Sequence, residues 1–211
     1  MRNVEEIRAF VEREIVPRYD AFDAGHSRDH VHTVMSQAME LATHYPEVDR
    51  CILLVAAAYH DLGLVNGREH HHTDSARIVR EDERLCQWFD DEEINLIADA
   101  AEDHRASSDH EPRTIYGRIV AEADRIIDGE TIVRRALQYG MKHEPGLDRE
   151  GQYRRLMEHM REKYDYGGYL KLWIPQSDNA RRLEEFRQTL ADETAFRHMF
   201  NLIYESLNKT I

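Results

Sequence analysis

The chain has 211 residues, with 41 acidic against 28 basic side chains and a formal net charge of −13. That balance argues against long nucleic acid or an anionic membrane surface as partner, since both require a basic footprint. A small anionic substrate held by a local cation stays compatible with it, and the length suits one sizeable domain with its own core.

Nearly every segment repeats its apolar residues at helical spacing. The N-terminus begins an amphipathic helix without the apolar centre of a signal peptide, and the pattern predicts this helix over 4–16, ending before Pro17. A second helix starts near Ser27 and carries Val31, Val34, Met35, Ala38 and Leu41. The run 51–58 has no polar face and predicts a helix buried on all sides. Val65-Asn66-Gly67 reads as a turn, and Thr73 or Asp74 caps a short helix through Val79. Asp90 or Asp91 caps the next, which bears Ile94, Ile97 and Ala101 and ends near Arg105. After the loop Ala106-Ser107-Ser108-Asp109, Pro112 suits the first turn of a helix over 113–127. Helices over 131–139 and 152–164, an irregular connector through Pro175, and helices over 179–190 and 193–207 complete an all-α, single-domain bundle. Cys51 and Cys86 form no CxxC pair and read as reduced thiols. No stretch approaches the ~18 apolar residues of a membrane span. The expectation is a soluble, cytoplasmic protein whose oligomeric state is open.

Tyr59-His60-Asp61-Leu62-Gly63 ends the buried run, and a His and an Asp side by side there need each other, other polar partners or a metal. A plain helix end, with Gly63 as stop and His60 on its negative terminus, would also account for them. Other inward polar residues favour the metal. His30 shares a face with Val34, Ala38 and Leu41, whereas His32 lines up with Ser36 and Glu40 and points to water. Asp124 lies between Val120 and Ile127, and His104 follows Ile97 and Ala101. Four helices each sending a His or Asp inward make a mixed nitrogen and oxygen donor set for a divalent ion.

His26-Ser27-Arg28-Asp29-His30-Val31-His32, Ala57-Ala58-Tyr59-His60-Asp61-Leu62-Gly63 and Ala121-Glu122-Ala123-Asp124-Arg125 resemble the three signatures of the HD-domain superfamily of metal-dependent phosphohydrolases, in the right order over residues 20–130. The resemblance implies that His30, His60, Asp61 and Asp124 bind a divalent metal (Mn, Mg, Fe, Co, Ni or Zn). It further implies that His71 and His104 match positions that hold a second ion or contact phosphate in some relatives. Small bacterial hydrolases of the family often open the first signature with His-Asp-Trp; here Arg28 stands in place of the aromatic. His26 precedes His30 by one turn and is expected to touch substrate, while the neighbouring His70 and His72 suit a solvated loop. The implied activity is hydrolysis of a small phosphate ester, a nucleotide foremost, with Asp61, His104, His71 and His26 as the catalytic group. A di-iron oxygenase on the same scaffold and a non-catalytic nucleotide or metal sensor are the alternatives. The helices over 131–211 are expected to cover the HD core.

Overall fold

The computed structural model describes residues 2–108 and 110–209, the side chain of Ala24 excepted. The described residues are helical with no strand, as the periodicity predicts. They form two compact units, Met1–Arg125 with Leu172–Ser177, and Ile126–Lys171 with Asp178–Ile211.

The first unit is built around α3 (Arg50–Tyr59), which Asp49 starts by accepting from the Cys51 and Ile52 amides at 2.7 and 3.4 Å. Every residue from Cys51 to Tyr59 is buried, as the absence of a polar face requires. Around it pack α1 (Val4–Phe10), α2 (Arg28–Leu41), α4 (His71–Glu81), α5 (Asp91–Glu102) and α6 (Ile115–Asp124). Asp90 opens α5 with a reciprocal capping box to Glu93.

Several boundaries differ from the expectation. The first helix does not run unbroken to Val16. It widens into a π-helical turn over Val11–Ile15 and then tightens into a 3₁₀ stretch, Val16–Ala21, which takes Pro17 in its first turn. Val11, Ile15, Val16 and Tyr19 are all buried, so packing carries the chain past the proline. Helix α6 starts at Ile115, capped by Thr114, rather than at Arg113, because the Arg113 amide is engaged by Asp103 Oδ2 at 2.6 Å. It ends at Asp124, three residues short of Ile127. Helix α4 begins at His71 instead of at a Thr73 or Asp74 cap. Thr73 Oγ1 donates to the His70 carbonyl at 2.9 Å, and the Asp74 amide donates to the same oxygen. Of the loop 106–109, Asp109 lies outside the described residues.

Gly63 does not end α3 through a left-handed backbone; among the described residues only Gly67 has a positive φ, +100°. Gly63 is small because a Cβ there would stand 1.9 Å from the His71 carbonyl oxygen and 2.6 Å from the Ser75 amide. The turn Leu62–Asn66 thus lies directly against α4. Segment Leu172–Ser177 belongs to the first unit through Glu122, which is fully buried. Its carboxylate accepts from the Trp173 and Ile174 amides at 2.6 and 3.3 Å and from Ser177 Oγ.

The second unit comprises α7 (Gly129–His143), α8 (Arg149–Tyr164), α9 (Asn179–Ala191) and α10 (Glu193–Asn208). Asp128, Asp148 and Asp192 cap three of them. Leu137, Leu156, Met160, Phe186, Phe196 and Phe200 are buried within it. No helix of the described residues is long and apolar enough to cross a membrane. Cys51 is a free buried thiol and Cys86 a free exposed one.

Candidate metal centre

The buried α3 stops at Tyr59, and the backbone leaves helical geometry at Asp61, where φ is −108° and ψ 3°. This bend turns two adjacent side chains onto one point, with His60 Nε2 3.1 Å from Asp61 Oδ2. Helix α2 brings His30 from its buried face, its Nε2 lying 3.3 Å from His60 Nε2 and 3.4 Å from Asp61 Oδ2. Asp124, the last residue of α6, completes the group at 3.2 Å from His30 and 3.7 Å from His60.

Asp61 has a second oxygen, and it faces another pair. His104 Nε2 lies 3.4 Å from Oδ1 and His71 Nε2 3.8 Å from it, while the two imidazole nitrogens are 3.1 Å apart. The residues expected to bind metal and the two histidines expected beside them therefore come together as two triads, His30–His60–Asp124 and Asp61–His71–His104. His71 reaches the cluster from the first residue of α4 instead of from a loop, and His104 comes from the turn just beyond α5 instead of from its end.

Hydrogen bonds behind the rings fix which nitrogen faces inward. The Nδ1 atoms of His60, His104 and His71 lie 2.7, 2.5 and 2.8 Å from the carbonyl oxygens of Ala57, Ala101 and Arg68. A carbonyl accepts only, so each Nδ1 carries the proton, and in the neutral ring the Nε2 lone pair points to the centre. Converging lone pairs and carboxylates repel unless positive charge lies between them. Bonds of ~2.1 Å to a divalent ion would put neighbouring donors ~3.0 Å apart in an octahedron and ~3.4 Å in a tetrahedron. Six of the separations, at 3.1–3.4 Å, meet that requirement, and the two longer ones, His60–Asp124 at 3.7 Å and His71–Asp61 at 3.8 Å, exceed it by 0.3–0.4 Å. The imidazole and carboxylate donors fit a divalent first-row ion, and His30 Nδ1 is buried without a hydrogen-bond partner among the described residues.

Electrostatics point the same way. Burial opposes a charge on His30, but Asp124 and Asp61 outweigh it and push the imidazole up to about 9. Burial likewise opposes ionisation of Asp61, yet His60, His104 and His30 hold its carboxyl well below the usual range. The His104 imidazole is raised by Asp61 against the effect of burial. Burial and the neighbouring His104 press His71 down to about 4. The two carboxylates therefore favour positive charge on His30 and His104, while His71 is held towards its neutral form.

The remaining histidines stand outside the cluster. The His26 ring is edge-on to His30 with centroids 5.8 Å apart, and its Nδ1 lies 2.8 Å from Asp23 Oδ1. His32 is exposed and faces Glu12 at 2.9 Å. His70 is exposed, and His72 is half-buried beside Arg105. Sequence reasoning passed over three groups that contact these histidines, namely Asp23 and Arg68 beside His26 and Arg105 beside His72. Arg105 donates to the Glu69 carbonyl at 2.8 Å, and a charged residue in a polar loop carries no periodic signal that would have marked it.

Residues 28–128 match the family model of the HD domain, a span that contains all six converging residues. Neither the curated proteins nor the solved structures give a significant match to the chain. HD domains bind divalent metals, and the buried His and Asp groups can hold one here. Through residues 28–128 the chain belongs to the HD-domain superfamily.

Proposed function

We propose that this protein is a metal-dependent phosphohydrolase acting on a small phosphate ester, with nucleotides the foremost substrate class. The observation that carries the proposal is Asp61, which turns one carboxylate oxygen to each of two triads. In this reading His30, His60, Asp61 and Asp124 hold one divalent ion, and Asp61, His71 and His104 hold a second. Ions held there would supply Lewis acidity, polarising a phosphoryl oxygen and easing loss of a proton from the water that attacks phosphorus. The Ala57, Ala101 and Arg68 carbonyls keep three imidazoles in the ligating tautomer. Asp124, the most accessible of the six side chains, marks the open side, with 27% of its side chain exposed against 4% for Asp61 and 17% for His71. His26 ends a separate 3₁₀ turn, Ala24–His26, ahead of α2, and its ring lies edge-on to His30, where it can steady a phosphate or move a proton at the leaving oxygen. The ions also offset the acidity of the chain towards an anionic substrate.

The test is hydrolysis by metal-stripped protein resupplied separately with manganese, magnesium, cobalt, nickel, iron or zinc. The substrates are nucleoside mono-, di- and triphosphates, cyclic nucleotides and a generic phosphodiester. Metal-dependent phosphate release from at least one class is expected; none from any class with any ion would overturn the reading. The adjoining second triad also suits a redox-active iron pair on this scaffold. Oxidation-state-dependent absorbance of iron-loaded protein, together with an inert ester panel, would favour that oxygenase.

A further inference from the structure

The loop ahead of α4 is more firmly built than a solvated polar run needs to be. Gly67 turns it at φ +100°, a conformation that side-chain-bearing residues rarely adopt. The next three carbonyls are then all engaged, Arg68 by His71 Nδ1, Glu69 by Arg105 and His70 by the Asp74 amide. Arg68 thus has its backbone fixed to a residue of the cluster, while its side chain crosses to the segment before α2. There Nη2 lies 3.0 Å from Asp23 Oδ2 and 3.1 Å from His26 Nδ1. Asp23 in turn accepts from the Gly25 amide and faces His26 Nδ1, both at 2.8 Å. Burial opposes its ionisation, but His26, Gly25 and Arg68 together hold its carboxyl down at about 2. One carboxylate therefore positions an imidazole and a guanidinium together, and that imidazole lies edge-on to the His30 ring.

Every side-chain contact of Arg68 runs through Nη2, so the donors on Nε and Nη1 have no hydrogen-bond partner among the described residues. The side chain is 60% exposed. In a chain of net charge −13, a cation held this way with spare donors is suited to an anion that has already reached the cluster. We propose that Arg68, braced by Asp23 against His26, binds the outer oxygens of a terminal phosphate and makes the site prefer phosphomonoesters and nucleotide end-phosphates over diesters. A terminal phosphate has three non-bridging oxygens and can meet both the cluster and Arg68. A diester has only two and leaves less for the guanidinium. This inference rests on the phosphohydrolase reading for the identity of the anion.

The test compares wild type, Arg68→Ala and Arg68→Lys, all manganese-loaded, by calorimetric titration with inorganic phosphate. Steady-state hydrolysis of p-nitrophenyl phosphate and bis(p-nitrophenyl) phosphate runs alongside. Loss of charge-assisted hydrogen bonds at an exposed site should weaken phosphate binding roughly 10-fold in Arg68→Ala, and less in Arg68→Lys. KM for the monoester should rise by about the same factor with metal content unchanged, and the diester should respond less. Phosphate affinity in Arg68→Ala within about two-fold of wild type would overturn the clamp, as would a wild type that binds no phosphate. A wild type inert towards both esters that still shows the phosphate-binding loss would overturn the hydrolase reading and uphold the clamp.

Discussion

Gly63→Ala tests how the His-Asp turn is coupled to the second triad. The added Cβ would lie 1.9 Å from the His71 carbonyl oxygen, 2.6 Å from the Ser75 amide and 2.8 Å from Asp74 Cβ. Two of these are helix backbone, which cannot swing aside as a flexible side chain can. To reach even 3.0 Å, the shortest contact real Cβ atoms make, the start of α4 must retreat by about 1.1 Å. That movement stretches the Gly63 amide bond to Ser75 Oγ, now 2.9 Å and fully buried. Overpacking costs about 1–3 kcal/mol and a weakened buried hydrogen bond about 1 more, so about 3 kcal/mol is expected. With a urea slope of about 2 kcal/mol per molar, the unfolding midpoint should fall by about 1.5 M. Because His71 is the first residue of α4, the same retreat takes its ring from His104 and Asp61, whereas His30, His60 and Asp124 stand on other elements. Metal analysis should then find one tightly held ion instead of two. Gly67→Ala is the contrast, with a positive φ but nothing within 4 Å of the added carbon; it should cost about 1 kcal/mol and no metal. A Gly63→Ala protein with the wild-type midpoint and two ions would refute the reasoning.

His71→Ala and His104→Ala should each lower kcat and kcat/KM together while about one metal per chain survives; parallel kinetics and metal analysis check this, and loss of all metal in His104→Ala would move that residue into the first site. Glu122→Gln substitutes an amide where a buried carboxylate accepts from two backbone amides and Ser177 Oγ, and denaturant unfolding should show a loss of about 2 kcal/mol. Tyr59→Phe removes the 2.7 Å hydrogen bond to Asp82 Oδ2 and should cost about 2 kcal/mol at neutral pH. Burial opposes ionisation of Asp82, but Arg84 and Tyr59 hold its carboxyl below the usual range. That stabilisation is complete above the unfolded value of about 3.9 and is lost as pH falls through the lower folded one, so the gap between the two proteins should begin to close below about pH 4.

The cluster was legible wherever a helical register decides which way a side chain points. His30, His60 and Asp124 stand on or end stripes of buried residues, and the same period turned His32 outwards to Glu12. His71 was harder to place. It lies in a run of three histidines without apolar period, and the Thr73 and Asp74 that suggest a cap are inside the first turn of α4. The two-sided use of Asp61 was beyond the sequence, since it depends on the backbone angles where the chain leaves α3. The π-helical and 3₁₀ turns after Phe10 were hidden for a related reason. Pro17 predicts a helix end, but α-helical bonding already gives way at Val11, and the apolar residues on either side of the proline keep the backbone coiled. The stripes of α7 to α10 resemble any core-facing stripe, so nothing in them announced a second compact unit.

The central claim is that His30, His60, Asp61 and Asp124 hold the ion on which hydrolysis depends. It is tested most directly by measuring bound metal and phosphate release on the same samples of wild type, Asp124→Ala and His32→Ala, after stripping and reloading with manganese. Asp124→Ala should lose the first ion and activity together, because it removes the carboxylate that completes that site, and His32→Ala should match wild type in both. A contradiction would be an Asp124→Ala protein that retains wild-type metal and turnover, or a His32→Ala protein that loses them.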